Sequence, residues 1–513
     1  MKLAPVIGLE IHVQLKTDTK MFCRCSNRGE DAPPNTTVCP VCMGHPGALP
    51  VVNRHAVEFG VLTGLAVGGH VAESSKFDRK NYFYPDLPKG YQISQFDLPV
   101  VSGGSVTVSV PDGRGGRYEK TVHLHRAHLE EDAAKLMHAP DGSASYVDYN
   151  RGGTPLVEIV TEPDIATPAE AKAFLQELRL IMRYLGVSDA DMEKGHLRCD
   201  ANISLREVPE NPAGEEWASI LNPKTEVKNI NSFRSVERAL EYEIKRQTKL
   251  WLDGKMPTEQ TTRGWDDAKG ITVEQRSKEE ANDYRYFPEP DLPPMRLMEM
   301  AEEMRRRVPE LPTARRERYA EEFGLTDDDA RTFVEDKELG EFAERVFSEL
   351  SEWVSTSEPE KAATPEERRA EYARLVSGWL LSKLGGVMTE LGLHSLKETK
   401  LDPENFAELL SLIHGKKVTG QNALLILTEM CRSGADPSVI MEEQNLGQIE
   451  DDSELTAAVG NAIAGNPKAI EDWRAGKANA VMFLVGQVMK MTRGKANPEK
   501  AKAAIEEELR KLG

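Results

Sequence analysis

The segment Tyr286-Phe-Pro288-Glu-Pro290-Asp-Leu-Pro293-Pro294 can be neither helix nor central strand, because its prolines lack amide donors and hold their neighbours extended. It separates two kinds of sequence. Before it, short segments alternate apolar and polar residues with the period of a β-strand, broken by Gly and Pro; after it, apolar residues recur at helical spacing. Two helices interrupt the first half, Pro168–Leu185 and Ser232–Leu252. Thr167 can cap the first, Pro168 suits its first position and Gly186 ends it. The expected class is α+β. A largely antiparallel-sheet cradle domain with flanking helices takes residues 1–294, an all-α helical domain 295–414, and a small all-α tail domain 415–513. Within the helical half, Ser355–Glu367 reads as a charged, Pro-interrupted connection, and Gly-Asn-Pro at 465–467 and Ala-Asn-Pro at 496–498 read as turns.

A chain of 513 residues is too long for one core, and 39% hydrophobic with 29% charged residues is the balance of a soluble globular protein. The longest apolar stretch, around Phe59–Val67, is too short to span a bilayer, and the amino terminus lacks the layout of a signal peptide. A cytoplasmic protein with no membrane partner is expected. A formal charge of −19 argues against a general nucleic-acid coat, so any nucleic acid must meet a local basic patch. In a reducing compartment the six cysteines are not disulfide staples. Four of them crowd into 23–42: Cys23-x-Cys25, thirteen residues, then Cys39-x-x-Cys42. Two close thiol pairs joined by a loop suit a closed, tetrahedral and therefore structural zinc site.

Just before the thiols runs Gly8-Leu9-Glu10-Ile11-His12-Val13-Gln14. In a strand, Ile7, Leu9, Ile11, Val13 and Leu15 point one way and Glu10, His12 and Gln14 the other. An ordinary half-buried strand explains that alternation equally well. The pattern recurs, however. Arg198-Cys-Asp200-Ala-Asn202-Ile-Ser204 repeats it, Leu156-Val-Glu158-Ile-Val160 sets one acid in an apolar strand, and Thr225-Glu226-Val-Lys228 alternates again. His128-Leu-Glu130-Glu131-Asp132 adds an acidic run after a strand-like Val122–Leu124. A sheet face carrying Glu10, His12, Glu158, Asp200, Asn202, Glu226 and Lys228 suits a hard divalent cation such as Mg2+, which takes carboxylate oxygens and bridges them to phosphates. A merely polar sheet face is the alternative. The sequence has no Gly-x-x-x-x-Gly-Lys-Ser/Thr loop, no Gly-x-Gly-x-x-Gly after a strand, no His-Glu-x-x-His and no Gly-x-Ser-x-Gly. If ATP is used, the candidate phosphate partners are Lys76, Arg79, Lys80 and Lys89 in an aromatic-rich loop, which can equally be a packed surface loop.

Read together, Gly8-Leu9-Glu10-Ile-His12, Lys80-Asn81-Tyr-Phe-Tyr-Pro-Asp-Leu-Pro-Lys89-Gly-Tyr, Leu129-Glu-Glu-Asp-Ala, Asn150-Arg-Gly-Gly-Thr-Pro-Leu-Val-Glu158, Arg198-Cys-Asp-Ala-Asn202 and Thr225-Glu-Val-Lys-Asn229 carry a resemblance. In this order they resemble the B subunit (GatB) of the bacterial tRNA-dependent amidotransferases, and the helical half resembles that family's helical domain with its YqeY-like tail. An archaeal-type relative carries an extra domain before its helical part, whereas here Tyr286–Glu303 passes straight into helix.

The resemblance implies a ligase acting on misacylated Glu-tRNA(Gln), Asp-tRNA(Asn) or both. ATP phosphorylates the side-chain carboxylate and ammonia then displaces the phosphate. The ammonia comes from glutamine through an amidase subunit (GatA), tied to this chain by a third, small subunit (GatC). Carried onto this sequence, it implies Mg2+ around Glu10, His12 and the Glu130/Glu131 pair, with Asp200 close by and Lys80 on the phosphate. Lys89, Glu158, Asn202, Glu226 and Lys228 would line the nucleotide. Which of the two glutamates faces the metal stays open, since strand neighbours point opposite ways. The tail, with Lys477, Lys490, Arg493, Lys495, Lys500, Lys502, Arg510 and Lys511, would hold the tRNA body. The competing class is a non-enzymatic, zinc-bearing tRNA-binding scaffold, which would bind tRNA without turning over ATP.

Overall fold

A computed structural model describes the chain except for residues 1, 140, 210–218, 278–282, 358–364, 450–451, 476, 478 and 513, and except for the side chains of 351–366 and 452. The expected connection Ser355–Glu367 therefore lies largely outside the described residues. Two compact units emerge, 1–312 and 313–513.

The first unit is built on a mixed, mostly antiparallel sheet of ten strands: β1 (Lys2–Gln14), β2 (His70–Val71), β3 (Val101–Ser102), β4 (Ser105–Pro111), β5 (Arg117–Glu131), β6 (Pro155–Thr161), β7 (Leu197–Val208), β8 (Thr225–Ile230), β9 (Thr261–Asp266) and β10 (Ile271–Ser277). Their order is β10-β9-β8-β7-β1-β6-β5-β3-β2, with β4 as a hairpin partner of β5, and only β8 and β9 run parallel. Central β1 contains a proline, and the register explains why it is tolerated. Pro5 pairs with Leu205 on β7, but β6 joins the other side only from Glu10 onward, so the missing amide costs no ladder bond.

The alternation read in β1 is realised: Ile7, Leu9, Ile11, Val13 and Leu15 are all essentially inaccessible. On this side the sheet is covered by α1 (Arg54–Ala66), α2 (Pro168–Leu185) and α3 (Phe233–Leu252). Here α1 packs on β5 and β6, α3 on β7 and β8, and α2 on α3 and β4. Each large aliphatic side chain so buried contributes about 1.5–3 kcal/mol. The capping chemistry is as the sequence implies. Thr167 Oγ1 accepts from Glu170 N, Gly186 closes α2 in the left-handed region, and Ser232 Oγ caps α3 by accepting from Ser235 N.

The acidic run does not follow the strand; it is the strand, since β5 continues unbroken through Glu131. The proline segment forms only the two-residue edge strand Phe287–Pro288 against Asp78–Asn81, itself paired with Tyr91–Ser94. The compact unit extends past Pro294 because Leu297, which precedes α4 (Met298–Arg305), and Ala301 and Met304 within it bury in the core of the sheet and α1.

The second unit is helical. It includes a long helix Lys337–Ser357, a π-helical segment Gly378–Leu384 and, at its end, four helices Asp452–Ala464, Pro467–Arg474, Asn479–Met491 and Pro498–Leu512 around one core of Leu455, Val459, Leu484, Val488, Ile505 and Leu509. The two Asn-Pro turns place Pro467 and Pro498 at helix starts, where a missing amide is harmless. Among the described residues, no helix is long and apolar enough to cross a membrane.

Candidate functional site

Strand pairing assembles the polar side of the sheet. Glu10 lies opposite Asp200, His12 between Arg198 and Glu158, Glu158 opposite His128, Leu156 opposite Glu130, and Asn202 opposite Glu226. Residues paired across a ladder share a face, so five strands, β5 to β8 with β1, present these side chains together. A bulge in β8, where Asn229 takes a left-handed conformation at φ 64, shifts the register by one residue between the Val227–Ala201 and Ile230–Cys199 pairs.

The face divides into two clusters. In the first, His12 Nε2 is 3.4 Å from Glu130 Oε1 and 3.3 Å from Glu158 Oε2. His128 Nε2 approaches Glu158 Oε2 at 3.2 Å, and Ser94 Oγ donates to Glu130 Oε2 at 3.1 Å. One ligand atom from each of His12, Glu130 and Glu158 lies within 4.8 Å of the others. Burial works against charge on His12, but the two carboxylates outweigh it and push the imidazole up to about 10. Burial likewise opposes charge on Glu130 and Glu158, and the two histidines hold both carboxyls below the usual range. A buried and a half-buried carboxylate sharing a cationic imidazole make a site where a divalent cation can stand in place of the proton. Lys80 lies in the same field. Burial alone would lower its ammonium, yet Glu130 and Glu158 hold it above its ordinary value, and its Nζ sits 4.9 Å over the Tyr284 ring.

In the second cluster Asn202 Nδ2 donates to Glu10 Oε1 at 2.9 Å, and Lys224 Nζ is 3.7 Å from the same oxygen. Lys228 Nζ bridges Asp200 at 2.5 Å and Glu226 at 2.9 Å, and Thr262 supports Glu226 at 3.0 Å. Despite burial, the two acids hold Lys228 well above the usual lysine range. Beside Glu10, Asn202 and Lys224 opens a cavity of about 570 Å³, within the size range of small-molecule sites.

Not every expected residue arrives here. Glu130 and Glu131 part company, as strand neighbours must. Glu131 turns to the opposite side, where it pairs with Lys89 and accepts the Ile93 amide at 2.9 Å. Lys89 therefore serves Glu131 and not the polar face. Glu10 stands with the second cluster rather than with His12. Arg79 is taken up by Glu289, at 2.6 and 2.8 Å, and Lys76 by Asp78 and Asp97. Sequence reading missed His128, Arg198 and Lys224. The signal for His128 was its spacing of two from Glu130, legible once β5 is known to run on. Arg198 donates to Asp132 at 2.7 Å beside His12.

The four thiols converge: Cys23, Cys25, Cys39 and Cys42 have sulfurs within 4.8 Å of one another, and Cys39 and Cys42 are 3.9 Å apart. A tetrahedron of sulfurs about 2.3 Å from a zinc has edges of roughly 3.8 Å, so the donor set fits. A hydrogen bond from the Cys23 thiol, supported against burial by the Cys39 amide donating to Cys42 Sγ at 3.1 Å, holds Cys42 down to about 5, while Cys25, chiefly through burial, is pushed up to about 11. Gly44 has φ 67 and packs on Lys89, where a Cβ would come within 2.6 Å of the Lys89 side chain and 3.0 Å of its Cα. The loop after the second thiol pair therefore requires glycine.

Comparison with known proteins fits this architecture. A profile of the GatB/GatE catalytic domain matches residues 5–303, and a second, described as the GatB domain, matches 364–509. Relatives named as the B subunit of aspartyl/glutamyl-tRNA(Asn/Gln) amidotransferase align over the whole length. That of Caldanaerobacter subterraneus subsp. tengcongensis is 45% identical over 100% of both chains. That of Thermotoga maritima is 46% identical over 97% of each, and that of Moorella thermoacetica 46% over 99% of this chain and 100% of its own. The polar strand face, the four-thiol loop and the helical second unit thus sit in a chain that belongs to the GatB family of tRNA-dependent amidotransferase subunits.

Proposed function

We propose that the polar sheet face of the first unit activates the side-chain carboxylate of Glu-tRNA(Gln), Asp-tRNA(Asn) or both with ATP and then amidates it. The observation that carries this reading is the His12–Glu130–Glu158 cluster facing Lys80, beside the cavity at Glu10 and Lys224. A substrate carboxylate oxygen attacks the γ-phosphorus, ADP leaves, and an acyl phosphate results. Ammonia then attacks the carbonyl carbon, inorganic phosphate leaves, and a proton is lost from nitrogen to give the amide. Phosphoryl transfer needs little covalent help and much charge compensation. Mg2+, when bound by Glu130, Glu158 and His12, would supply part of that compensation.

The chain's own residues do the rest. Lys80 offers an ammonium to the transferred group. Lys224 and Lys228 place positive charge around the Glu10 cavity, where the nucleotide phosphates would lie, while Asn202 fixes the Glu10 carboxylate and Glu226 and Asp200 orient Lys228. The ammonia is supplied from glutamine by the amidase GatA, held by the small GatC in a heterotrimer. We read the tail, 415–513, as the part that contacts the tRNA body, and the four cysteines as holding one structural Zn2+.

The deciding experiment assays Gln-tRNA(Gln) and Asn-tRNA(Asn) formation in the assembled complex with ATP, Mg2+ and ammonium in place of glutamine. Product with wild type and its loss with His12→Ala support the reading. Tight tRNA binding with no ATP turnover would favour the scaffold.

A further inference from the structure

Lys20 is the largest charged side chain with no accessible surface in the molecule's described part. Burying an ammonium costs several kcal/mol unless something of opposite charge meets it. Among the described residues no carboxylate forms an ion pair with it, and Glu131, which lines the same cavity, is held by Lys89. Lys20 Nζ has two partners. It donates to the Tyr149 carbonyl at 3.2 Å and lies 4.0 Å from Cys42 Sγ.

A carbonyl satisfies one proton and none of the charge, so the electrostatic partner must be sulfur. A zinc with four thiolates carries a net charge of −2, from one Zn2+ and four S−, and half-buried sulfurs leave it only partly hydrated. The backbone is shaped around the contact. The Lys20 amide donates to the Cys25 carbonyl at 3.0 Å, which places the first thiol pair and this lysine on one hairpin. Across from it, Gly153 adopts φ 88, and a Cβ there would sit 3.4 Å from Lys20 Cδ and 3.7 Å from Cys42 Cβ. Gly153 lies in the turn from Tyr149 to Thr154 that leads directly into β6, the strand bearing Glu158.

We propose that Lys20 is the buried counter-charge of the four-thiolate site, and that its bond to Tyr149 ties that site to the turn from which β6 starts. Lys20 is a positioning residue. It touches neither substrate nor phosphate, and it rests on the zinc reading given above.

The test uses the full-length chain. Zinc affinity is measured by competition with a chromogenic chelator, and the sulfur-to-metal charge-transfer band is recorded after loading with Co2+. Lys20→Met, which keeps the length and removes the charge, is expected to weaken zinc binding roughly 10–100-fold, as loss of an outer partner of a metal ligand does, and to shift the Co2+ band. Wild-type affinity and an unmoved band in Lys20→Met would overturn the proposal. A second measurement needs no variant: amine acylation of wild-type protein, mapped by mass spectrometry, with zinc bound and after stripping by chelator. Slow labelling of Lys20 in the loaded protein and faster labelling in the stripped protein are expected, and equal rates overturn the proposal. Wild-type protein that takes up no zinc at all would overturn the zinc reading itself and the proposal with it.

Discussion

At the scale of single residues the polar face makes sharp distinctions between neighbours. Glu130→Gln replaces one of two carboxylates around His12 and should lower ammonia-dependent amidation about 100-fold or more, the order found when one preorganised electrostatic group is removed from an active site. Glu131→Gln breaks the Lys89 pair on the other side and should instead lower thermal stability with much smaller loss of rate. Steady-state amidation and melting temperature measured on both variants check this, and equal rate losses would contradict the assignment. Glu10→Gln and His12→Ala should likewise abolish ATP-dependent activation while leaving tRNA affinity within about two-fold, because both project from the open face and leave the apolar side of β1 intact. Filter binding run beside the amidation assay decides that. The sequence went far here. Period-two alternation put Glu10, His12, Glu158, Asp200, Asn202 and Glu226 on one side, and the strand pairing places them there. What alternation could not show was the split into two clusters, because that depends on which strands are neighbours: β6 brings Glu158 to His12, and β7 brings Asn202 to Glu10.

At the scale of elements, the helices with complete signals at both ends were legible to the residue, as α2 shows with Thr167, Pro168 and Gly186. β5 was not. His123 to His128 carry no clean polar-apolar alternation, so only Val122–Leu124 reads as strand-like, and the acidic run after it is seen to belong to the same strand once its pairing with β6 is known. The four-thiol loop is an element in its own right. Elemental analysis should find one zinc per chain, and Cys39→Ser should lose the metal and lower the melting temperature by several degrees. Metal-free wild type melting with the loaded protein would contradict a structural role. In the helical unit, Glu344 receives Arg315 and Arg318 at 2.8 Å each. Burial raises this carboxyl, and the two guanidinium groups outweigh that and hold it below its ordinary value. Because the folded value is depressed, the stabilisation is fully present above the unfolded value near 4.5 and is lost as pH falls through the folded one. With the pair partly exposed, it amounts to about 1 kcal/mol. Glu344→Gln should therefore melt earlier at pH 7 and converge with wild type toward pH 3, as followed by circular dichroism.

At the scale of the whole molecule, the reading proposed above asks a chain of charge −19 to hold a polyanion, and assigns that task to the tail. Some of its cations are engaged: Lys477 with Asp472 at 2.8 Å, and Lys511 with Glu507 at 2.9 Å and Glu508 at 2.8 Å. A cut after Asn466 would strand Leu455, Val459 and Ile463, whose apolar side packs on the later helices. Removing 452–513 takes the four-helix module as a piece. It should weaken tRNA binding and flatten its salt dependence together, since each phosphate no longer neutralised takes about 0.9 off the slope. Binding measured at two salt concentrations checks both quantities, and an unchanged affinity would contradict the assignment of the tail.

The strand β5 does two jobs with adjacent residues, Glu130 toward His12 and Glu131 toward Lys89, and this bears on how the chain can vary in length. Adding or deleting one residue between Ala127 and Glu131 would exchange the two acids between the faces and dismantle both arrangements at once. Thirteen residues before Glu130, at Arg117, the same strand enters the exposed hairpin tip Asp112–Gly116, where glycines at 113 and 115 lie in open space and nothing packs against them. Members of this family should therefore differ in length at the tip and agree in length at the inner end, and a short peptide inserted at Gly113 should leave amidation intact.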